Sequence, residues 1–103
     1  MWFAVNLLFE STHPGHPESE FLWEERIVLV RAETEEQARH EGERIGKAEE
    51  HEYTAANGEL VRWLFRKVES VGAIPKLDHG TELFSRFLSK NEVESLLSPF
   101  QEP

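Results

Sequence analysis

The stretch that most narrows the possible folds is Glu52–Val71, EYTAANGELVRWLFRKVESV, in which Asn57-Gly58 separates two β-prone runs. Asn-Gly in that setting is the strongest short hairpin signal, because a two-residue type I′ turn needs positive φ at both central positions. A turn of that kind fixes strand register, so the two runs are expected to pair and to form the middle of a sheet. The rest of the chain is then read by how it packs there.

Upstream, Trp2–Glu10 alternates, with Phe3, Val5, Leu7 and Phe9 on one face, the pattern of a half-buried strand. Ser11–Glu20, STHPGHPESE, holds two prolines and a glycine that stop a ladder, so it reads as a loop. Phe21–Ala32, FLWEERIVLVRA, reads as a second strand, antiparallel to the first. Its continuously apolar part, Ile27–Val30, is expected to be buried on both faces.

Thr34 opens a helix. Gln37 lies at capping-box spacing from it, and Glu35 and Glu36 put negative charge in the first turn, where the helix dipole favours it. Glu35–Arg39 and Glu43–Lys47 have the spacing of helix ion pairs. The buried stripe is narrow: Ala38, Gly42 and Ile45, with Glu41 at its margin. Gly42 costs about 1 kcal/mol against alanine, which a close approach to the sheet would offset. Fraying is expected near Gly46–Glu50. Beyond the hairpin, residues 71–80 form an irregular corner and Thr81–Leu88, TELFSRFL, reads as a further strand. Ser89 and Glu92 form a second capping box, opening a short helix that Ser98-Pro99 ends. The expected fold is α+β: a mostly antiparallel sheet of about five strands, in the order β-β-α-β-β-β-α, with helices packed on one face and residues 1–103 as a single domain.

Composition excludes several functions. There is no cysteine, which removes disulfides, thiolate zinc sites and thiol catalysis. Asp plus Glu number 20 against 11 Lys plus Arg, a formal charge of −9 that repels phosphate backbones and anionic lipid. Neither nucleic acid nor membrane is therefore expected as a partner. The first apolar run stops at Glu10 with no basic leader, so a cytoplasmic location is expected.

Histidine offers the weakest chemistry. His13 and His16, in HPGHP, carry ligand-type nitrogens, but two residues of one turn do not make a metal site without a third ligand. His40-Glu41 begins like a zinc-protease helix, yet Arg44 stands where the second histidine belongs. No serine lies in a glycine-flanked elbow and no glycine-rich phosphate loop exists, so no cofactor and no catalytic residue is implied.

The basic-aromatic run Arg62–Lys67 could suggest base stacking, but alternation sends Val61, Trp63 and Phe65 inward and Arg62 and Arg66 outward. Leu60, Leu64 and Val68 are expected to share that outer face, while Lys67 and Glu69 then break the inner one. Either a β-bulge near Arg66-Lys67 switches faces, or the outer face is covered by a partner. Leu60, Arg62, Leu64 and Arg66 are the candidate interface.

Four blocks in order, Trp2–Glu10, Trp23–Ala38, Glu43–Tyr53 and Asp78–Leu88, resemble the small bacterial proteins grouped as domain of unknown function 4288. The positions carrying the resemblance are Trp2, Glu10, Glu24, Gly46, Tyr53, Gly80, Thr81, Glu82 and Arg86. The resemblance implies a bacterial cytoplasmic protein with no assigned activity and no catalytic residues to transfer. Among these positions Glu10, Glu24, Glu82 and Arg86 are candidates for a polar cluster at one end of the sheet. The expected role is a non-catalytic interaction or accessory protein, either self-associating as a homodimer or binding a basic protein in the manner of an immunity protein. The alternative is a small enzyme or ligand-binding protein using the Glu/Arg cluster with a nearby histidine.

Overall fold

A computed structural model describes residues 1–16 and 22–97. Its elements are β1 (Trp2–Thr12), β2 (Trp23–Arg31), α1 (Glu35–Ala48), β3 (His51–Thr54), β4 (Leu60–Ile74) and α2 (Lys90–Leu97). The fold is α+β, with four strands in the spatial order β2-β1-β4-β3 and every pairing antiparallel. Most of the expected loop after Thr12, the expected strand start at Phe21 and the stop at Ser98-Pro99 lie partly or wholly outside the described residues. Ser11 and Thr12 continue β1 rather than opening the loop. Ser11 exchanges bonds with Leu22: its N–H donates to the Leu22 carbonyl at 2.8 Å, and its hydroxyl accepts from the Leu22 N–H at 2.9 Å.

The centre of the sheet is the β1–β4 pair, not the β3–β4 hairpin. β1 is the most buried strand because it lies between β2 and β4, with α1 over Phe3, Val5, Leu7 and Phe9 on one face and Ala4 and Asn6 buried on the other. β3 is a four-residue edge, exposed throughout. The turn differs from expectation as well. Gly58 N–H donates to the Ala55 carbonyl at 2.9 Å, Gly58 has φ +84°, and no non-glycine residue among those described has positive φ. Asn57 thus avoids the left-handed region that a type I′ turn demands, and glycine alone occupies it. This is the longer hairpin loop in which a left-handed glycine follows a tight turn.

β4 contains two register shifts against β1, where Arg66 and Glu69 are each an extra residue. Phe65 pairs with Phe9, Lys67 with Leu8, Val68 with Leu7 and Ser70 with Asn6. Each extra residue re-aims the next one, so Trp63, Phe65, Val68 and Val71 all face α1.

α1 begins as expected: Thr34 Oγ1 accepts from the Gln37 N–H at 3.1 Å, and Gln37 Oε1 accepts from the Glu33 N–H at 3.0 Å. Its buried line is Ala38, Gly42 and Gly46, with Ile45 only half-buried. A Cβ on Gly42 would lie 2.6 Å from Val5 Cγ1, and one on Gly46 would enter the Phe65 ring. The glycines let the helix axis settle onto the sheet, and Gly46 is a packing position rather than the start of fraying.

The expected fifth strand at Thr81–Leu88 does not form. Residues 82–85 lie across the sheet face opposite α1, beside Ala4 and residues 70–73, where no strand edge offers a ladder. α2 opens on its capping box, with Ser89 N–H donating to Glu92 Oε1 at 3.0 Å and Glu92 N–H to Ser89 Oγ at 3.2 Å. Among the described residues it packs on no other element, so only α1 covers a sheet face. The radius of gyration is 16.7 Å, above the ~13 Å of a compact 100-residue domain.

Candidate functional site

The side of the sheet that α1 leaves uncovered carries Trp2, Ala4, Asn6, Leu8 and Glu10 from β1, and Trp23, Glu25, Ile27, Leu29 and Arg31 from β2. β2 was expected to be buried on both faces at Ile27–Val30. Instead it is an edge strand, and Ile27 and Leu29 are 47% and 48% exposed. Only Val30 in that run is fully buried. Trp23, 57% exposed, prolongs the apolar row.

Residues 82–86 cross this face and leave grooves on either side. One, of about 480 Å³, has Leu8, Trp23 and Phe84 beside Glu24, Glu25 and Glu69, with Ser70, Ser85 and Arg86 completing the wall. The next, of about 240 Å³, runs past Ala4, Gly72 and Ala73 to Glu82 and Leu83. A hollow of about 630 Å³ over the outer side of α1 is bounded by Thr34, Glu36, His40 and the Glu41–Arg44 pair. Its lining residues, all polar or charged, come from one helix and its cap.

Asn6 is fully buried on the grooved face. Its Nδ2 donates to Glu25 Oε2 at 3.1 Å, while its Oδ1 has no hydrogen-bond partner among the described residues. A buried amide held on one side only is costly.

The sequence-derived candidates fall in different places. Glu24 and Arg86 border the same groove, whereas Glu82 borders the adjoining one. Glu10 Oε1 accepts from Arg66 Nε at 2.8 Å. Glu24 Oε1 accepts from Arg26 Nε at 2.9 Å, and Arg26 also approaches Glu49 Oε2 at 3.5 Å and covers the Phe9 ring at 4.5 Å. Leu60 and Leu64 are half-buried, and Arg62 bonds Glu52 Oε2 at 2.7 Å across the hairpin. Leu60, Arg62 and Leu64 continue the uncovered face at the far end of β4 from the groove, with Arg66, the extra residue of the first bulge, beside them. His13 Nδ1 lies 3.2 Å from Glu59 Oε1, and His16 N–H donates to the His13 carbonyl. Among the described residues no three His, Asp or Glu side chains gather as a metal site.

Reasoning from sequence missed Trp23, Glu25, Glu69, Phe84 and Asn6. The available signal was period-2 alternation along β2, which puts Trp23, Glu25, Ile27 and Leu29 on one face. Glu92 is held below its ordinary range by the Ser89 N–H, then by the Ser89 hydroxyl, with the Arg86 charge adding less. Asp78 is lowered by the His79 N–H and then by Lys76.

A family model described as Domain of unknown function (DUF4288) matches residues 2–85. No curated protein and no solved structure matches the chain. No helix among the described residues is long and apolar enough to cross a membrane.

Proposed function

The chain belongs to the domain of unknown function 4288 family, and since that membership brings no activity with it, we propose that this is a non-catalytic interaction protein whose uncovered sheet face receives a basic segment of a protein partner. The observation that carries the reading is the groove between β1, β2 and residues 84–86. Aromatic and aliphatic walls from Leu8, Trp23 and Phe84 adjoin two acidic residues of the uncovered face, Glu25 and Glu69, the latter paired with Lys67 at 3.3 Å; the Glu24 carboxylate turns to the α1 side, where Arg26 holds it. Such a groove suits a lysine or arginine whose stem lies on the apolar wall and whose charge meets the carboxylates. The charge of −9 would steer such a partner in. Leu60 and Leu64 extend the same face and offer further contact area. An enzyme built on Glu10, Glu24, Glu82 and Arg86 has less support, because Glu10 is bonded to Arg66 and Glu82 borders the adjoining groove.

The test is an amide-shift titration with a lysine- and arginine-rich peptide at low and moderate salt. Shifts gathered at Leu8, Trp23, Ser70 and Phe84–Arg86, and lost in Glu25→Gln/Glu69→Gln, are the expected result. Equal shifts over the acidic outer side of α1 would reduce the binding to diffuse charge attraction and sink the reading.

A further inference from the structure

β2 is a nine-residue edge strand with no proline, glycine or lysine in it. Edges of that length are ordinarily blunted by such residues, by bulges, by charged side chains or by a covering element, and of these β2 carries only charges, Glu24, Glu25, Arg26 and Arg31. The opposite edge shows the contrast: β3 has four residues, and the β4 N–H of Phe65 just beyond it donates to the Glu50 carboxylate at 2.9 Å.

The direction of the free backbone groups on β2 follows from its pairing. Ala32 N–H donates to the Met1 carbonyl, and Ser11 N–H to the Leu22 carbonyl. Even-numbered residues of β2 therefore spend their N–H and C=O groups on β1, and by alternation Trp23, Glu25, Ile27, Leu29 and Arg31 turn theirs outward. The side chains of those five residues are all exposed on the uncovered face.

We propose that β2 pairs antiparallel with β2 of a second copy of this chain about a two-fold axis at Val28, making one continuous eight-stranded sheet. The register is set by the side chains. A perpendicular two-fold keeps the faces matched, so opposed residue numbers sum to an even number. With Val28 on the axis, Ile27 opposes Leu29 of the second copy and Glu25 opposes its Arg31, each pair occurring twice. All four are outward-pointing, hydrogen-bond-competent positions. Sliding by two residues either way sets Glu25 against Leu29 or Ile27 against Arg31, which loses both charge pairs. The strand is thus complementary to itself in one register, as an isologous interface requires. The pairing sets Ile27 and Leu29, two of the apolar residues that the chain's own packing leaves exposed, against each other and covers part of both. It goes beyond the proposed basic partner and does not depend on it.

The test combines sedimentation velocity with residue-resolved amide exchange over a concentration series. A species of twice the chain mass is expected, with protection of the Glu25, Ile27, Leu29 and Arg31 amides rising with concentration. Glu25→Arg and Arg31→Glu should each weaken dimerisation about tenfold, and the double exchange should restore it. Because Glu25 also accepts from Asn6, circular dichroism of each variant separates lost pairing from lost fold, and the amide pattern of the parent stands without any variant. A monomeric parent at the highest soluble concentration would overturn the proposal, as would a dimer whose outward β2 amides stay unprotected.

Discussion

Gly46 of α1 rests on the face of the Phe65 ring so closely that a methyl group there would overlap three of its carbons. Phe65 cannot simply turn aside, because its ring meets Phe9 edge-on at 5.7 Å and 64°. Helix propensity alone favours alanine over glycine by about 1 kcal/mol. Overpacking a closed core costs about 1–3 kcal/mol, and here that cost prevails. Gly46→Ala should lose about 1–2 kcal/mol in urea denaturation. Gly72→Ala, with nothing within 4 Å of the added carbon, should be neutral or slightly favourable. An unchanged or raised midpoint for Gly46→Ala would mean that α1 does not sit on Phe65.

The hairpin loop yields a second expectation. Gly58, at φ +84°, occupies backbone space that an L side chain resists, although its own surroundings are open. Gly58→Ala should therefore lose about 1 kcal/mol through strain alone. Asn57→Ala, with Asn57 outside the left-handed region, should lose less, since what goes is its side-chain acceptance from the Glu59 N–H at 2.9 Å. The reverse ranking would restore the type I′ turn.

Asn6→Asp places a carboxyl, fully buried, against Glu25. Burial and the neighbouring carboxylate both oppose ionisation, so the new group's folded pKa rises above its unfolded ~3.9. A raised carboxyl pKa penalises folding above the unfolded value and ceases to do so as pH falls. The variant should be at least about 2 kcal/mol less stable than the parent at pH 7, with the gap closing towards pH 4. A gap constant with pH would place Asn6 in contact with solvent.

α2 should respond to acid in the opposite sense. The Glu92 carboxyl is held below its ordinary value of 4.5 by the Ser89 N–H and hydroxyl. A lowered folded pKa contributes stability that is present above the ordinary value and is lost as pH falls through the lowered one. Carbon chemical shifts of Lys90–Val93 should thus drift from helical towards coil values below pH 4.5. Glu92→Gln, which keeps the reciprocal bond without the charge, should show little of this drift. Equal drift in both would assign it to something other than the capping box.

Local chemistry was the legible part of the fold. The caps at Thr34 and Ser89, the alternation of β1 and the close-packing role of Gly42 all derive from neighbouring residues, and all are present. The errors arose where a pattern admits two partners. Ile27–Val30 reads as a run buried on both sides, but an edge strand with one covered face needs only Val28 and Val30 inside. TELFSRFL has strand-like composition, yet ladder formation depends on a free edge, which no local signal reports. The groove was less legible still. Glu24 and Arg86 belong to the expected quartet, while Trp23, Glu69 and Phe84 meet only because residues 82–86 cross the sheet. Of the two readings of the broken alternation after Phe65, the paired register shifts show the bulge, which turns Val68 inward where strict alternation puts it outside.

Those shifts also bear on how the chain's length can vary. Striking Arg66 and Glu69 from β4 leaves Leu60 to Ile74 in strict inward-outward alternation, with every β1 partner unchanged. Both residues are charged and exposed, and neither opposes a residue of β1. Elsewhere in a sheet a one-residue deletion turns every later side chain of the strand to the opposite face. At these two places it would instead straighten the strand and leave the hydrophobic interior as it stands, so Arg66 and Glu69 are where a natural relative can be shorter without refolding.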